Sequence, residues 1–341
     1  MNYIKSVFIL ASSFVLCSGT TLVASSSQPW SCRERDYGMK VGEFRLDDCV
    51  YGIYNRNGKL KASLDEVCNT KKQSAFRFKY GFIPRYDWRP SEILRIPNFI
   101  NHEGNKIPVV RIGETAFMNV DSRFALVCIP ANVKVIAPTA FYLAHVKYVV
   151  FRKGSKLKRI GDRAFLHCDL ERIIIPKSVR SIGECVFGRS LSSDRNLSEI
   201  LFEEGSLLEE IGPGAFASSD IKSITIPPKV KTIPDGCFSE CKKLEEVTIL
   251  PDSEFTEFGY NAFYRCSNLH KITNLEKITR LGDQCFIGCS KFNPECSEEW
   301  QPDIEESTFK SCPFGERRFK DRIDQLTAAR LARSNPDSTR P

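Results

Sequence analysis

The chain has 341 residues, of which 42% are hydrophobic and 27% charged, a composition that is ordinary for a folded, soluble protein. Its net charge of +7 is a modest surplus spread through the sequence, so it does not call for a nucleic-acid partner, although a weak preference for acidic surfaces stays open. A length of 341 exceeds the usual single domain, but it suits a repeat protein, which grows by adding units to one stack.

Residues 1–27 have the layout of a secretory signal peptide. Lys5 precedes an apolar run over residues 7–16, and small residues follow it. The run is too short to span a bilayer, and no later stretch is long and apolar enough for a transmembrane helix. We therefore expect a secreted or cell-surface protein. Two alternatives stay open: a buried N-terminal strand or helix, and a lipidated Cys17, against which the preceding Leu16 argues.

Residues 28–105 lack the repeat found further along and are predicted to form an N-terminal β cap. Residues 44–46 and 49–54 have strand-like composition, and Asn57-Gly58 suits a hairpin turn. A first repeat without such a cap would expose an apolar end face.

An entry hairpin is predicted at the end of the cap. Residues 94–97 are expected to pair with residues 107–110 across the Glu103-Gly104-Asn105 turn. This hairpin would lead the chain into the first repeat.

Residues 106–312 repeat one phrase about eight times, and the stretch from Ile160 to Ile182 shows it most completely. The phrase contains Ile-Gly, then Ala-Phe, a Cys three residues later, an apolar triplet and a Pro. Its phenylalanines are spaced by 24, 24, 22, 29, 22, 25, 23 and 23 residues, at Phe117, Phe141, Phe165, Phe187, Phe216, Phe238, Phe263, Phe286 and Phe309. A regular period of this length predicts a stacked solenoid.

The spacing within one repeat predicts the role of each position. Ile173 and Ile175 alternate with outward residues, which is typical of a strand with one buried face, and Pro176 ends that strand. Gly161 is expected to permit a backbone turn. Phe165 is expected to stack on the phenylalanines of the neighbouring coils, as the turns of the solenoid are called here.

The phrase resembles the BspA-like (Treponema pallidum-type) subclass of leucine-rich repeats, and the resemblance covers about two-thirds of the chain, from Ile96 to Cys312. It implies an α/β or mainly β fold: a right-handed leucine-rich repeat solenoid with a parallel concave sheet. What is known of BspA-like proteins implies attachment to host or matrix proteins and to other microbes.

Two further features carry open alternatives. The longest gap, from Phe187 to Phe216, holds extra residues at 188–196 and 203–210, which are either a contact site or tolerated length variation. Residues 313–341 are predicted to form a short helix over the last coil, with Phe319 on its apolar side, and a disordered end. A helix that binds a partner or an anionic surface is the alternative.

The chain has fourteen cysteines, but the repeat explains most of them. Five lie three residues past a repeat phenylalanine and two replace the alanine before it, so they are predicted to be buried thiols. Those seven are Cys168, Cys241, Cys266, Cys289 and Cys312, then Cys237 and Cys285. Any disulfide is expected among Cys32, Cys49 and Cys68, and the sequence does not choose the pair.

No pattern indicates catalysis, a metal or a cofactor. The Cys-x3-Cys pairs at 237–241 and 285–289 have no histidine at a zinc-finger spacing nearby. His167 and Cys168 are adjacent, so their side chains should point in different directions. The sequence has no phosphate-binding loop, dinucleotide signature or hydrolase elbow. We expect a protein that is not an enzyme and carries no cofactor.

The outward residues of the strands are the predicted binding surface. They are apolar in the N-terminal half and polar in the C-terminal half, and an exposed apolar patch suggests a protein contact unless the cap or a loop shields it. The predicted residues are Leu126, Tyr148, Val150, Arg172, Ile174, Glu199, Leu201, Thr225, Glu246, Thr248, Lys271 and Thr273.

These observations predict a non-catalytic binding module that adheres to host cells or extracellular matrix through its concave face. The partner would be a host or matrix protein, or another microbe, with no nucleic acid and no integral membrane segment. The alternative is a surface scaffold that self-associates.

Overall fold

The structure is a computed structural model. It describes residues 39–46, 49–57, 59–67, 92–118, 120, 124–188, 197–294 and 296–334. The predicted signal peptide, Cys32, Cys68 and the end of the chain after Ser334 lie outside the described residues.

Three antiparallel strands begin the described chain: β1 (Met39–Leu46), β2 (Cys49–Arg56) and β3 (Lys59–Val67). The predicted hairpin is present, because Arg56 pairs with Lys59 and Asn57 adopts a left-handed φ of 52° in the turn. Tyr51 and Leu64 are buried, so this meander contributes to the same core as the repeats.

The entry segment differs from its prediction. The strand that pairs with β6 (Asn105–Ile112) across the turn is β5 (Phe99–His102), whereas β4 (Glu92–Arg95) runs parallel to β7 (Phe124–Ile129). Residues 94–97 are extended, as expected. They belong to the parallel sheet, where Ile96 donates its N–H to the Cys128 carbonyl at 3.2 Å.

Each coil contributes one strand to a long parallel sheet. After β4 and β7 come β9 (Tyr148–Phe151), β11 (Arg172–Ile175) and β13 (Glu199–Phe202), and a second group contains β15 (Ser223–Ile226), β17 (Glu246–Ile249) and β19 (Lys271–Ile272). Equivalent repeat positions pair in register, for example Arg172 with Tyr148 on one side and Glu199 on the other.

A second ladder of two-residue strands runs beside the long sheet. Following β6, it contains β8 (Val135–Ile136), β10 (Arg159–Ile160), β12 (Ser181–Ile182) and β14 (Glu210–Ile211), then a separate group of β16 (Thr232–Ile233), β18 (Glu257–Phe258) and β20 (Arg280–Leu281). The stacked solenoid predicted from the period, and the parallel sheet implied by the resemblance, are therefore confirmed.

Within the described part of the chain, strand pairing is interrupted once in both ladders, between β13 and β15 and between β14 and β16. The turns continue across this point, since Gly214 donates its N–H to the Asp235 carbonyl at 2.9 Å and Phe216 to the Cys237 carbonyl at 3.0 Å. The two halves of the solenoid are thus joined by turns and side chains at this coil.

The repeat phenylalanines form one stacked column through the core, which confirms the prediction. Consecutive ring centroids from Phe117 to Phe309 lie 4.2 to 5.7 Å apart, with interplanar angles of 17° or less. Phe319 extends the column beyond the last coil, at 5.2 Å from Phe309. Neighbouring coils therefore make the same ring contact again and again.

The repeat glycine has a different role from the predicted one. A Cβ on Gly161 would lie 2.5 Å from the Pro138 nitrogen, so this position lets two coils approach closely and its φ is not positive. The left-handed turn residues flank the phenylalanine instead, as Arg163 (φ 55°) and His167 (φ 58°) do around Phe165.

The stretch at residues 203–210 is a packed turn. Leu208 is fully buried and its N–H bonds to the Ser206 hydroxyl, and Leu157 and Ser155 repeat this arrangement in an earlier coil. This recurrence favours length variation within the repeat over a special contact loop. The other insertion, at residues 188–196, lies almost wholly outside the described residues.

Two helices follow the last coil: α1 (Pro313–Arg318) and α2 (Lys320–Ser334). The predicted C-terminal helix is present. Phe314 in α1 and Phe319 at the junction of the two helices are buried against Phe309 and cover the end of the phenylalanine column. None of the described helices combines the length and apolar character needed to cross a membrane.

Candidate protein-binding surface

The outward residues of β4, β7, β9, β11, β13, β15, β17 and β19, with Thr273, form what we call the sheet face. Two columns run along it because side chains alternate across a strand and the strands pair in register. The buried members of the same strands, such as Val149 and Ile173, anchor the strands to the core. The sheet face is therefore held in position by the packing of every coil.

An apolar patch occupies the N-terminal half of the sheet face. Four predicted residues are exposed there: Tyr148 (39%), Val150 (47%), Ile174 (44%) and Leu201 (40%). Leu126 is half-buried. These side chains lie on adjacent strands, since Leu126 pairs with Tyr148, and Ile174 pairs with Leu201.

Sequence reasoning missed one member of the apolar patch. Ile93 on β4 is 46% exposed and pairs with Leu126, which extends the patch by one strand. The signal is the Glu-Ile-Leu-Arg alternation of residues 92–95, of which only residues 94–95 belong to the predicted entry hairpin.

Charged residues of the sheet face are paired with one another across neighbouring strands. Arg172 forms an ion pair with Glu199 at 2.8 Å, and Lys271 pairs with Glu246 at 2.8 Å. Each pair joins neighbouring strands at one column position. Because such exposed pairs are worth only about 0–1 kcal/mol, they neutralise the surface more than they stabilise it.

The threonines of the polar half are not equivalent. Thr225 is exposed and Thr248 half-buried, whereas the Thr273 hydroxyl donates to the Ile249 carbonyl and accepts from the Ile249 N–H, both at 2.9 Å. Thr273 thus uses its hydroxyl to close the sheet, and it is the predicted residue least suited to a partner.

Tyr148 is oriented by a neighbour outside the predicted set. Its hydroxyl donates to the Glu171 carboxylate at 2.6 Å, and this hydrogen bond raises the pKa of the phenol above its ordinary value. Lys147 contacts the same carboxylate at 3.3 Å. The ring is therefore held on the surface as a fixed, neutral anchor.

The repeat cysteines are buried thiols, as predicted. Four of them donate a hydrogen bond to a backbone carbonyl of the preceding coil. Cys168 donates to Val146, Cys241 to Phe216, Cys266 to Phe238 and Cys289 to Phe263, at 3.0 to 3.4 Å. Burial raises the pKa of Cys168 to about 12 and that of Cys241 to about 11. These thiols are neutral, weakly nucleophilic packing groups.

Cys168 and His167 do not form a joint site. The Cys168 sulfur points at the Val146 carbonyl in the core, while the His167 ring lies 5.9 Å from the ring of Tyr142. Among the described residues, no three His, Cys, Asp or Glu side chains are placed to hold a metal ion. Cys49 is buried, and its predicted partners Cys32 and Cys68 are not among the described residues, so that pairing stays a prediction.

A groove of about 530 Å³ lies along the second ladder of the last coils. Its lining is rich in acidic residues and also contains Arg280 and Arg330; the acidic residues are Asp235, Glu257, Asp283, Asp303, Glu305 and Glu306. The arginines already neutralise part of it, because Arg280 pairs with Glu257 at 3.2 Å and Arg330 with Glu306 at 3.1 Å. Within the groove the Ser307 hydroxyl donates to the Asp283 carboxylate, and the described lining contains no histidine, lysine or cysteine.

The profile of the BspA type leucine rich repeat region matches the chain in six copies, over residues 105–193 and 209–335. The chain belongs to this family. BspA-type proteins are typical of bacterial surfaces and are in general scaffolds that bind other proteins, which suggests a surface or secreted location. A search of the curated proteins finds no significant match.

Several solved structures are similar to this BspA-type chain. A leucine rich repeat protein of T. pallidum is 20% identical, with a TM-score of 0.46, over 74% of this chain and 91% of that one. The pneumococcal vaccine antigen PcpA is 18% identical, with a TM-score of 0.42, over 74% of this chain and 75% of that one. A leucine rich cell surface protein of Faecalibacterium prausnitzii is 18% identical, with a TM-score of 0.33, over 80% of this chain and 93% of that one.

Proposed function

We propose that this BspA-type protein is a non-catalytic, secreted or surface-located module that binds another protein through its sheet face, and that the binding serves adhesion to host cells or extracellular matrix. The observation that carries the proposal is the apolar patch. Ile93, Tyr148, Val150, Ile174 and Leu201 are exposed side by side on a rigid sheet. Contiguous exposed apolar residues with a polar surround are typical of protein interfaces.

Tyr148 is the proposed energetic centre of the interface. Its ring is held on the surface by Glu171, and tyrosine is enriched among residues that dominate binding energy. The paired charges Arg172–Glu199 and Glu246–Lys271, with Thr225 and Thr248, form the proposed polar rim. Rim residues of this kind set register and specificity more than affinity.

The test measures binding of the purified protein to immobilised laminin, fibronectin and collagen by surface plasmon resonance. Tyr148→Ala should weaken binding by about 30-fold, the equivalent of roughly 2 kcal/mol. Ile174→Ser should weaken it also, while Leu331→Ser, the same kind of apolar-to-polar change at an exposed position of α2, should not. Thermal unfolding of each variant checks that the fold is intact.

Two results would contradict the proposal: retention of full binding by both sheet-face variants, or equal losses in the Leu331→Ser control. The second candidate function, a self-associating scaffold, uses the same apolar patch. It predicts concentration-dependent assembly in analytical ultracentrifugation, without added ligand, that Ile174→Ser abolishes. A monomer that binds a matrix protein supports adhesion instead.

A further inference from the structure

The positive charge of the chain is concentrated in one stretch. Residues 130–180 contain eleven Lys or Arg residues and three Asp or Glu residues, whereas the whole chain has 49 and 42. The surplus of positive charge is therefore not spread evenly along the sequence, and the prediction of an even spread, made from the net charge of the whole chain, was wrong. This stretch includes two complete coils, so its charges recur at matching points of the stack.

One column of cations follows the second ladder. Lys158 donates its backbone N–H to the Lys134 carbonyl at 2.8 Å, and Arg180 donates to the Lys158 carbonyl at 2.8 Å. The three residues therefore occupy the same point on successive coils, which lie about 4.8 Å apart as neighbouring strands do. All three side chains are exposed.

More cations lie on the turns between the long sheet and the second ladder. Arg152 and Lys153 follow β9, Lys156 lies on the same turn, and Lys177 follows β11 in the next coil. Backbone bonds fix these turns against the preceding coil, as Lys156 donates to the Ala131 carbonyl at 2.9 Å. We call the set the basic flank, and it consists of Lys134, Arg152, Lys153, Lys156, Lys158, Lys177 and Arg180.

The basic flank is not compensated within the described chain. Arg180 pairs with Glu209 at 2.5 Å, but the other six side chains form no ion pair with any described residue. The sheet face, in contrast, places opposite charges on adjacent coils, as with Arg172 and Glu199. Like charges stacked on successive coils repel one another, so this arrangement opposes folding and favours an anionic partner.

The next coil sets a sharp boundary to the basic flank. Glu203, Glu204, Glu209 and Glu210 are exposed at the equivalent turn. A linear polyanion would therefore be held over the coils from Lys134 to Arg180 and repelled beyond them.

We propose that the basic flank binds a sulfated glycosaminoglycan chain. Five of its seven cations are lysines, which carry compact point charges on flexible side chains. Single-stranded nucleic acid needs aromatic rings for stacking, and the flank contains none. Sequence-specific reading of a duplex needs a helix or ribbon that enters a groove, whereas the flank is built from turns. The choice of an extracellular polyanion rests on the secreted or surface location in the proposed function.

The proposed glycan site is separate from the sheet face, so the two can fail independently. Leu157, inside the flank's longest turn, is fully buried, and the flank presents cations without an exposed large apolar side chain for insertion into a membrane. An anionic membrane surface is therefore a poorer partner than a soluble, highly charged chain.

The experiment measures binding of the full chain to an immobilised heparin decasaccharide across a series of salt concentrations. The wild type should bind at physiological salt and weaken steeply as salt rises. The triple variant Lys134→Gln, Lys156→Gln, Lys158→Gln should bind at least about tenfold more weakly than the wild type. A matched control with the same change in net charge, Lys222→Gln, Lys310→Gln, Lys320→Gln, should stay within about twofold of wild type, because these exposed lysines lie elsewhere.

Three outcomes would overturn the inference: absence of heparin binding, equal losses in the two triple variants, or equal binding of desulfated heparin. Tighter binding of a short DNA duplex or of phosphatidylserine vesicles at the same salt would also overturn it in favour of those partners. Tyr148→Ala should leave heparin binding unchanged, so a failure of the sheet-face proposal is distinguishable from a failure of this one.

Discussion

Removing one ring from the phenylalanine column should destabilise the whole solenoid. Phe165 is 1% exposed and stacks on Phe141 at 4.8 Å and on Phe187 at 5.6 Å. Burying the ring contributes roughly 1.5–3 kcal/mol, and a cavity at this site adds to the loss. Phe165→Ala should therefore lower the free energy of unfolding by about 3–5 kcal/mol.

A second substitution separates ring stacking from burial. Phe165→Leu keeps most of the apolar volume but loses two aromatic contacts, each worth roughly 0.5–1.5 kcal/mol, so it should cost about 1–3 kcal/mol. Urea unfolding followed by circular dichroism gives both values. Unchanged slopes of free energy against urea would show that the variants unfold over the same surface area.

A double-mutant cycle tests whether the rings act as neighbours. Phe141→Leu with Phe165→Leu should show a coupling energy of about 0.5–1.5 kcal/mol, because the two rings touch. Phe165→Leu with Phe263→Leu should be additive within about 0.5 kcal/mol. The reasoning fails if Phe165→Ala costs less than about 1 kcal/mol, or if the distant pair couples as strongly as the adjacent one.

Three further predictions concern other columns of the stack. A Cβ on Gly212 would lie 2.4 Å from the Gly183 carbonyl carbon, so Gly212→Ala should cost roughly 1–3 kcal/mol in calorimetry, and an unchanged melting temperature would contradict this. Burial raises the pKa of Cys168 to about 12 and that of Cys241 to about 11 from 9.0, so the unfolded chain loses these protons first. The free energy of unfolding should therefore fall above about pH 9, by ~1.4 kcal/mol per pH unit per thiol. When this free energy is measured by urea unfolding at several pH values, it should fall less steeply with pH for Cys168→Ala than for the wild type. In iodoacetamide labelling at neutral pH, the half-buried Cys296 should react before Cys168 and Cys241, and simultaneous labelling would contradict their burial.

Most of the solenoid follows from one repeated spacing. The Phe-to-Phe period places every ring at the same height in its coil, and alternation of Ile173 and Ile175 with outward residues decides which side chains reach the sheet face. Once these phases are known, ion pairs such as Arg172 with Glu199 are also predictable, because in-register strands bring equivalent positions together.

The entry segment shows where a repeating pattern stops being informative. Residues 94–97 and β5 both have strand-like composition, and the choice between them as partner of β6 depends on a parallel ladder formed with a later coil. The local sequence therefore does not show which of the two segments pairs with β6. The role predicted for Gly161 was wrong for a related reason, because the close approach of a neighbouring coil arises only when the coils are stacked.

The candidate surfaces were predictable to different degrees. The exposed positions of Tyr148, Val150, Ile174 and Leu201 came from the strand phase. The basic flank was overlooked because a net charge summed over the whole chain conceals a local excess. Aligning Lys134, Lys158 and Arg180 by their distance from the repeat isoleucine would have identified it.

The gap in pairing between β13 and β15 has a mechanical consequence. Under tension along its length, the molecule should behave as two elastic segments in series. The turn hydrogen bonds of Gly214 and Phe216, and the ring contact of Phe216 with Phe238 (5.3 Å), hold these segments together. Rupture would begin at that junction and release two separate blocks, each still wound.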